Sequence, residues 1–561
     1  MRARVLLLIE FVLMDCFMCR LISLFIVTML IALSAHGEPQ LERVSTSRGN
    51  AVAEQIHQQC HRLLLQKSSS GGTARELMNI RLERFYSVRG FQPLWTTRKV
   101  VDELITAVEE SAADGLLPSD YHLATIREYE NHPPVTPQEI AQYDLFLTKS
   151  FLTLASHLRY GKVDPLRLYS SWNINDVKNF RSLDETLRHA VEQESVMLIV
   201  KELLPQDANY DLLKKGLARY RTIARYGGWP VLSTGPTMKP GFRDSRITVL
   251  RQRLKISGDL HVQDKDTVSV YTQDMVEAVK RFQKRSGLDV DGSVGVATLR
   301  VMNIPVEHRI AQIRVNLERY RWFLHDLAPT CILVNIAGYS LQYLENGKYR
   351  WGTRVIVGQP LRETPVFKAT MAHIVFNPKW VVPATILAKD VLPALHKDHF
   401  YLKKKQLRVV GEDGATVNPD SVNWSHYSAT NLPYRLQQRS GDKGALGRIK
   451  FLMPNRHTIY LHDTPGKELF DKSSRAFSSG CIRVQNPAEL ARLVLHDSLN
   501  WSSAKIQEVI AKGKTRTVIV RQQIPVFLLY LTTLPSGEEI QFRDDIYNRD
   551  KGVLKLLNQP L

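Results

Sequence analysis

The chain has 561 residues, too many for a single hydrophobic core, so three or four folding units are expected. Its apolar share of 44% and charged share of 23% are those of ordinary globular proteins and argue against long disorder. Lys and Arg number 75 against 56 Asp and Glu, a net charge of +19 that favours an anionic partner. No basic stripe interleaved with aromatics and no zinc-finger spacing accompanies that charge, so nucleic acid is not an expected partner.

Residues 1–37 read as a signal peptide or N-terminal anchor. Leu21 to Leu33 is a nearly unbroken apolar run behind Arg20, and Ala35 and Gly37 are small residues at the spacing a signal peptidase accepts. The run is short for a spanning helix. An earlier apolar stretch is broken by Glu10 and Asp15, which leaves a downstream start codon open. Of the cysteines, Cys16 and Cys19 fall in this leader, leaving Cys60, Cys331 and Cys481. An odd number in an exported chain leaves at least one thiol unpaired.

Residues 38–240 are expected to form a helical scaffold. Leu104, Ile105, Val108, Leu147, Phe151, Leu154 and Leu158 recur at three- and four-residue intervals, the stripe of amphipathic helices. Nothing in this stretch points to chemistry. Residues 241–305 form a compact second unit, in which Met275, Val279 and Phe282 keep helical spacing before a run of turn glycines. There Phe282, Gln283, Gly287, Leu288, Asp291, Gly292, Gly295 and Thr298 resemble the FQ…GL…DG..G..T pattern of the small three-helix peptidoglycan-binding module. A linker helix at 306–329 follows.

From about residue 330 to 548 the period changes to two, as in short strands, and 549–561 read as a tail. Ile332 to Ile336 and Tyr339 to Leu344 are the first two, and Glu345-Asn346-Gly347-Lys348 makes a hairpin turn. The strand pattern lapses over about 378–441, where Ala384 to His396 looks helical. A long excursion of this kind beside a catalytic region is expected to be an inserted lid. The fold class is therefore multidomain α+β, with a helical N-terminal scaffold, a three-helix module and a mostly-β C-terminal domain.

The chemistry is concentrated in Tyr460 to Leu490. A thiol nucleophile needs a base, because a free cysteine with pKa about 8.5 is mostly protonated at neutral pH. His462 precedes Cys481 by 481 − 462 = 19 residues, enough for a strand-loop-strand return. Gly480 allows close backbone approach, and the N–H groups of Gly480 and Cys481 are positioned for an oxyanion. Arg483 shares a strand face with Cys481, where it would lower the thiol pKa and hold a substrate carboxylate. On residue chemistry alone, a buried structural cysteine remains an equal alternative. Zinc is not expected, because no further cysteine or histidine completes a ligand set.

Ser478-Ser479-Gly480-Cys481-Ile482-Arg483 behind His462 resembles the catalytic motif of the L,D-transpeptidase (YkuD-type) family. Asn377-Pro378, Trp380, Leu432 to Leu436 and Ala445 to Arg448 resemble its large multidomain branch, as do Phe85-Tyr86 and Pro93-Leu94-Trp95. Many members carry a second histidine where this chain has Ser479, so only His462 is available as base. The resemblance implies a YkuD-like β domain acting on peptidoglycan outside the cytoplasm, in the periplasm, without metal or cofactor. Cys481 would attack a donor stem tetrapeptide and pass the acyl group to an acceptor stem peptide, forming a 3–3 cross-link. Catalytic roles fall to Cys481, His462, Arg483 and Gly480, and substrate contacts to Tyr460, Ser479, Trp380 and Tyr434. Carbapenems are expected to acylate Cys481, and other cell-wall synthesis proteins are expected as partners. Two alternatives stay open: an L,D-carboxypeptidase or hydrolase on the same fold, and a non-catalytic wall-binding scaffold.

Overall fold

The computed structural model describes residues 46–65, 74–174, 183–261 and 269–560; the expected leader, with Cys16 and Cys19, lies outside them. No helix among the described residues is long and apolar enough to cross a membrane. The chain divides into two compact units, the first within residues 1–109, 121–154 and 181–201 and the second holding the rest.

The first unit is helical. Its helices Arg98–Glu110 and Pro137–Tyr160 bury Val101, Leu104, Val108, Leu147 and Phe151, as the apolar spacing predicts. Asp144 is buried there and raised by desolvation, yet it is satisfied as an acceptor. It takes the N–H groups of Leu94 at 2.9 Å and Trp95 at 2.8 Å, and the Tyr86 hydroxyl. A buried carboxylate persists only with such a complement of donors.

The second unit is built around a nine-stranded sheet. Its strands are β1 (Cys331–Asn335), β2 (Ser340–Glu345), β3 (Lys348–Gly358), β4 (Phe367–Phe376), β9 (Ile449–Leu452), β10 (Leu461–His462), β11 (Ala476–Ser478), β12 (Ile482–Val484) and β13 (Arg516–Leu529). The order is β11-β3-β12-β10-β9-β4-β13-β1-β2, and β2 also pairs with β3, so the sheet closes on itself. Closure removes most of the edge that an open sheet would expose, with the short β11 appended beside β3. Val355, Val357, Phe451, Leu461, Ile482 and Val484 point to the common core, which sends the alternate residues to the opposite face.

Helix Val306–Phe323 packs into that same core through Ile313, Leu317, Tyr320 and Phe323. It is no mere connector, because Glu318 and Arg321 form an ion pair with both side chains wholly buried, at 2.5 Å. Glu318 also accepts from the Val163 amide at 2.7 Å and the Trp322 indole at 3.2 Å. Helix Ala208–Arg225 joins the core through Tyr210, Leu213 and Leu217.

Three helices, Arg246–Ser257, Gln273–Arg285 and Val296–Met302, form the module around Leu250, Met275, Val279 and Phe282. Gln283 uses its amide internally, donating to Asp291 at 2.7 Å and accepting from the Gly292 N–H at 2.8 Å. Gly292 has φ +72°, and a Cβ there would meet Val276 at 2.7 Å. These motif residues are thus committed to folding the module.

The stretch between β4 and β9 differs from the sequence expectation in being more than a helix and a loop. It carries a four-stranded sheet of its own, ordered β5 (Trp380–Val381), β8 (Arg435–Gln438), β6 (Leu407–Val410), β7 (Thr416–Val417). A separate core of Val382, Leu392, Leu395, Val409 and Leu436 holds it together. These strands are two to four residues long, too short for alternation to show in sequence. The expected helix is present over 384–395, with a π-turn at Leu387–Val391. Pro393 lacks the N–H that an α-turn would require of it there.

Candidate active site

Strands β10 and β12 run parallel in the register Leu461↔Ile482 and His462↔Arg483. Because Leu461 and Ile482 face the core, His462 and Arg483 face away from it, and the alternation brings Tyr460 and Cys481 to the same face. Strand β9 adds Lys450, paired in register with His462. Four of the expected site residues, Tyr460, His462, Cys481 and Arg483, are thus gathered on one patch. All three cysteines among the described residues are free, with Cys60 and Cys331 buried and Cys481 partly exposed.

The turn before the thiol depends on glycine. Gly480 has φ +112°, in the region that an L side chain resists. Its N–H donates to the Ser478 hydroxyl at 3.1 Å, and Thr364 donates to its carbonyl at 2.8 Å. The Gly480 amide thus already has an acceptor within its own turn. The Cys481 amide has no partner among the described residues.

Burial pushes the Cys481 thiol up, and the Tyr460 backbone N–H and hydroxyl, both donating to sulfur, oppose that rise, followed by Lys450 and Arg483. The Cys481 Sγ also lies 3.9 Å from the Thr458 carbonyl. His462 is buried and held down at about 3, first by desolvation and then by the Arg483 charge. Its Nδ1–H donates to the carbonyl of Asp463, which leaves Nε2 as the basic nitrogen. The Asp463 side chain is turned elsewhere, accepting from the Arg448 amide at 2.8 Å and pairing with Lys467, as its strand position predicts.

The remaining expected contacts are placed unevenly. The Trp380 side chain is hydrogen-bonded to the Tyr460 hydroxyl and so reaches the patch from the insertion. Tyr434 packs against Tyr427 within the insertion's own cluster, with ring centroids 6.0 Å apart. Ser479 accepts from Arg362 at 2.9 Å, and Arg362 is itself held by Asp390 of the insertion.

Lys450 lies on this patch and Arg362 reaches the neighbouring turn at Ser479, and motif reading singled out neither as a site candidate. Lys450 had a signal, a cation between Ile449 and Phe451 in a strand whose other face is core. Arg362 had none, since it meets Ser479 across 117 residues of sequence. No cluster of His, Cys, Asp or Glu suited to a metal is present among the described residues.

Comparison with known proteins matches three stretches of the sequence to family descriptions. Residues 329–520 match the L,D-transpeptidase catalytic domain (YkuD), residues 81–217 a scaffold domain, and residues 243–302 a "Putative peptidoglycan binding domain". A protein of Haemophilus influenzae described as "Putative L,D-transpeptidase" is 37% identical over 222 residues, covering 40% of this chain and 45% of its own length. The chain thus spans somewhat under half of that relative. Among solved structures, an L,D-transpeptidase from Xylanimonas cellulosilytica (residues 123–326) is 14% identical, covering 53% of this chain and 99% of its own, at a TM-score of 0.16. The Ldtfm-avibactam carbamoyl enzyme is 12% identical, covering 56% and 98%, at a TM-score of 0.18.

Proposed function

We propose that this chain, which carries an L,D-transpeptidase catalytic domain of the YkuD family at residues 329–520, cross-links peptidoglycan stem peptides through a thioester on Cys481. The observation that carries the reading is the single face shared by Cys481, His462, Tyr460 and Arg483 within that domain. The scaffold and peptidoglycan-binding matches fit a cell-wall substrate, which lies outside the cytoplasm.

At rest the thiol and imidazole are both neutral, with Nε2 of His462 free to accept. As Cys481 sulfur adds to the carbonyl carbon of the donor tetrapeptide, its proton passes to His462. The Cys481 amide stabilises the oxyanion. The C–N bond to the terminal D-alanine then breaks, and His462 returns the proton to the departing amine. The side-chain amine of an acceptor stem attacks the thioester, gives its proton to His462 and expels the thiolate. The product is a 3–3 peptide bond and a restored thiol. Arg362, Asp390 and Trp380 support the insertion's acting as a lid that shields the thioester from water.

Purified enzyme incubated with tetrapeptide muropeptides tests this. A dimer with a 3–3 bond is expected, and tripeptide alone would refute transfer in favour of trimming. Cys481→Ala is expected to abolish both products.

A further inference from the structure

Lys450 and Arg483 flank His462 on one rung of three adjacent strands, β9, β10 and β12. At ordinary strand spacing their Cα atoms stand roughly 10 Å apart. Both are largely out of water, and neither has a carboxylate within ion-pair reach among the described residues. Lys450 lies 3.9 Å from the Tyr460 ring centroid, and the Arg483 Nε is buried without a hydrogen-bond partner. The adjacent acid, Asp463, is spent on Arg448 and Lys467. A Cys481 thiolate would balance only one of the two cations, and thiolate is not the resting form. Desolvated, unmatched cations are costly unless a ligand supplies the anion.

We propose that Lys450 and Arg483 form a carboxylate subsite beside Cys481, which holds a carboxylate of the donor close to the bond being cut. Arg483 offers the planar fork that takes a carboxylate in two hydrogen bonds, and Lys450 supplies a point charge from the far side of His462. Lys450 makes the subsite selective, since its strand position sets how close an anion comes to sulfur. The identity of the donor rests on the function proposed above, whereas the subsite is readable without turnover.

Two small alkylating reagents test it, the anionic iodoacetate and the neutral iodoacetamide, each reacting by displacement of iodide by sulfur. Burial keeps Cys60 and Cys331 up at about 12, so the native chain is read at the Cys481 peptide by mass spectrometry. A change in thiol pKa moves both rates together, so their ratio isolates anion binding. The wild-type ratio of iodoacetate to iodoacetamide rates is expected about tenfold above that of free glutathione. Lys450→Met should lower it about threefold or more, while Lys450→Arg should retain it, with the unfolding midpoint checking that both variants fold. Equal ratios in wild type and Lys450→Met, with Cys481 still reactive, overturn the subsite alone. A Cys481 that resists both reagents overturns the nucleophile reading and the subsite with it.

Discussion

Arg362 grips Asp390 through two hydrogen bonds of 2.6 Å and reaches with the same guanidinium to the Ser479 hydroxyl at 2.9 Å. One side chain thereby ties the helix of the insertion to the turn that carries Cys481. The pair is partly exposed and contributes only about 0–1 kcal/mol to global stability. Asp390→Asn should leave the unfolding midpoint nearly unchanged yet lower kcat/KM for tetrapeptide several-fold, chiefly through KM. Unchanged kinetics would separate this latch from function.

The thiol depends on Tyr460. Its hydroxyl donates to the Cys481 sulfur, a bond that favours thiolate over thiol. Tyr460→Phe removes that donor and keeps the ring over which Lys450 lies. The pH at which iodoacetamide reactivity reaches its half-maximum should rise by about one unit, the worth of one charge-assisted bond.

His462 links the site to pH. Its folded pKa of about 3 lies below the unfolded value, so the unfolded chain binds a proton that the native chain refuses. That contribution to stability is full above about pH 6.5 and is lost as pH falls toward 3. Urea unfolding at pH 7 and pH 5 should show wild type losing about 2 kcal/mol more than His462→Gln. The same depression predicts no titration of kcat/KM near pH 6.5 in the free enzyme.

Gly480 carries its φ of +112° without strain, and a Cβ there would find Ile459 at an ordinary 3.4 Å. The cost of Gly480→Ala is therefore backbone conformation rather than collision, about 1–3 kcal/mol. Expect a lower unfolding midpoint and a loss of acylation by a carbapenem, read as the mass shift on the Cys481 peptide.

Glu318 is a wholly buried acid of the second unit that serves three donors. Glu318→Ala would leave the Arg321 charge, the Trp322 indole and the Val163 amide without their acceptor. Removing one partner of a buried ion pair costs about 3–5 kcal/mol. Thermal unfolding of the variant checks this.

The wide division of the chain was legible because it rests on periodicity, 3.6 in the helical scaffold and 2 in the closed sheet. The Cys481 motif was legible because local spacing suffices: strand alternation alone predicts that Tyr460 and His462 share a face, as do Cys481 and Arg483. The same rule correctly turned the Asp463 side chain away from the imidazole. The insertion's sheet was not legible, since its strands are too short to show a period. Nor was the use of the Gly480 N–H, which depends on a rotamer of Ser478.

By itself, then, the sequence determined which pairs share a strand face, since backbone alternation enforces it over a few residues. Only the tertiary structure decided what surrounds them. The register of β9, β10 and β12 placed Lys450 and Arg483 on either side of His462. The closed sheet buried His462 deeply enough to keep it neutral, and contacts across more than a hundred residues delivered Arg362 to Ser479. Burial, charge balance and long-range pairing are properties of the packed chain, and no local pattern encodes them.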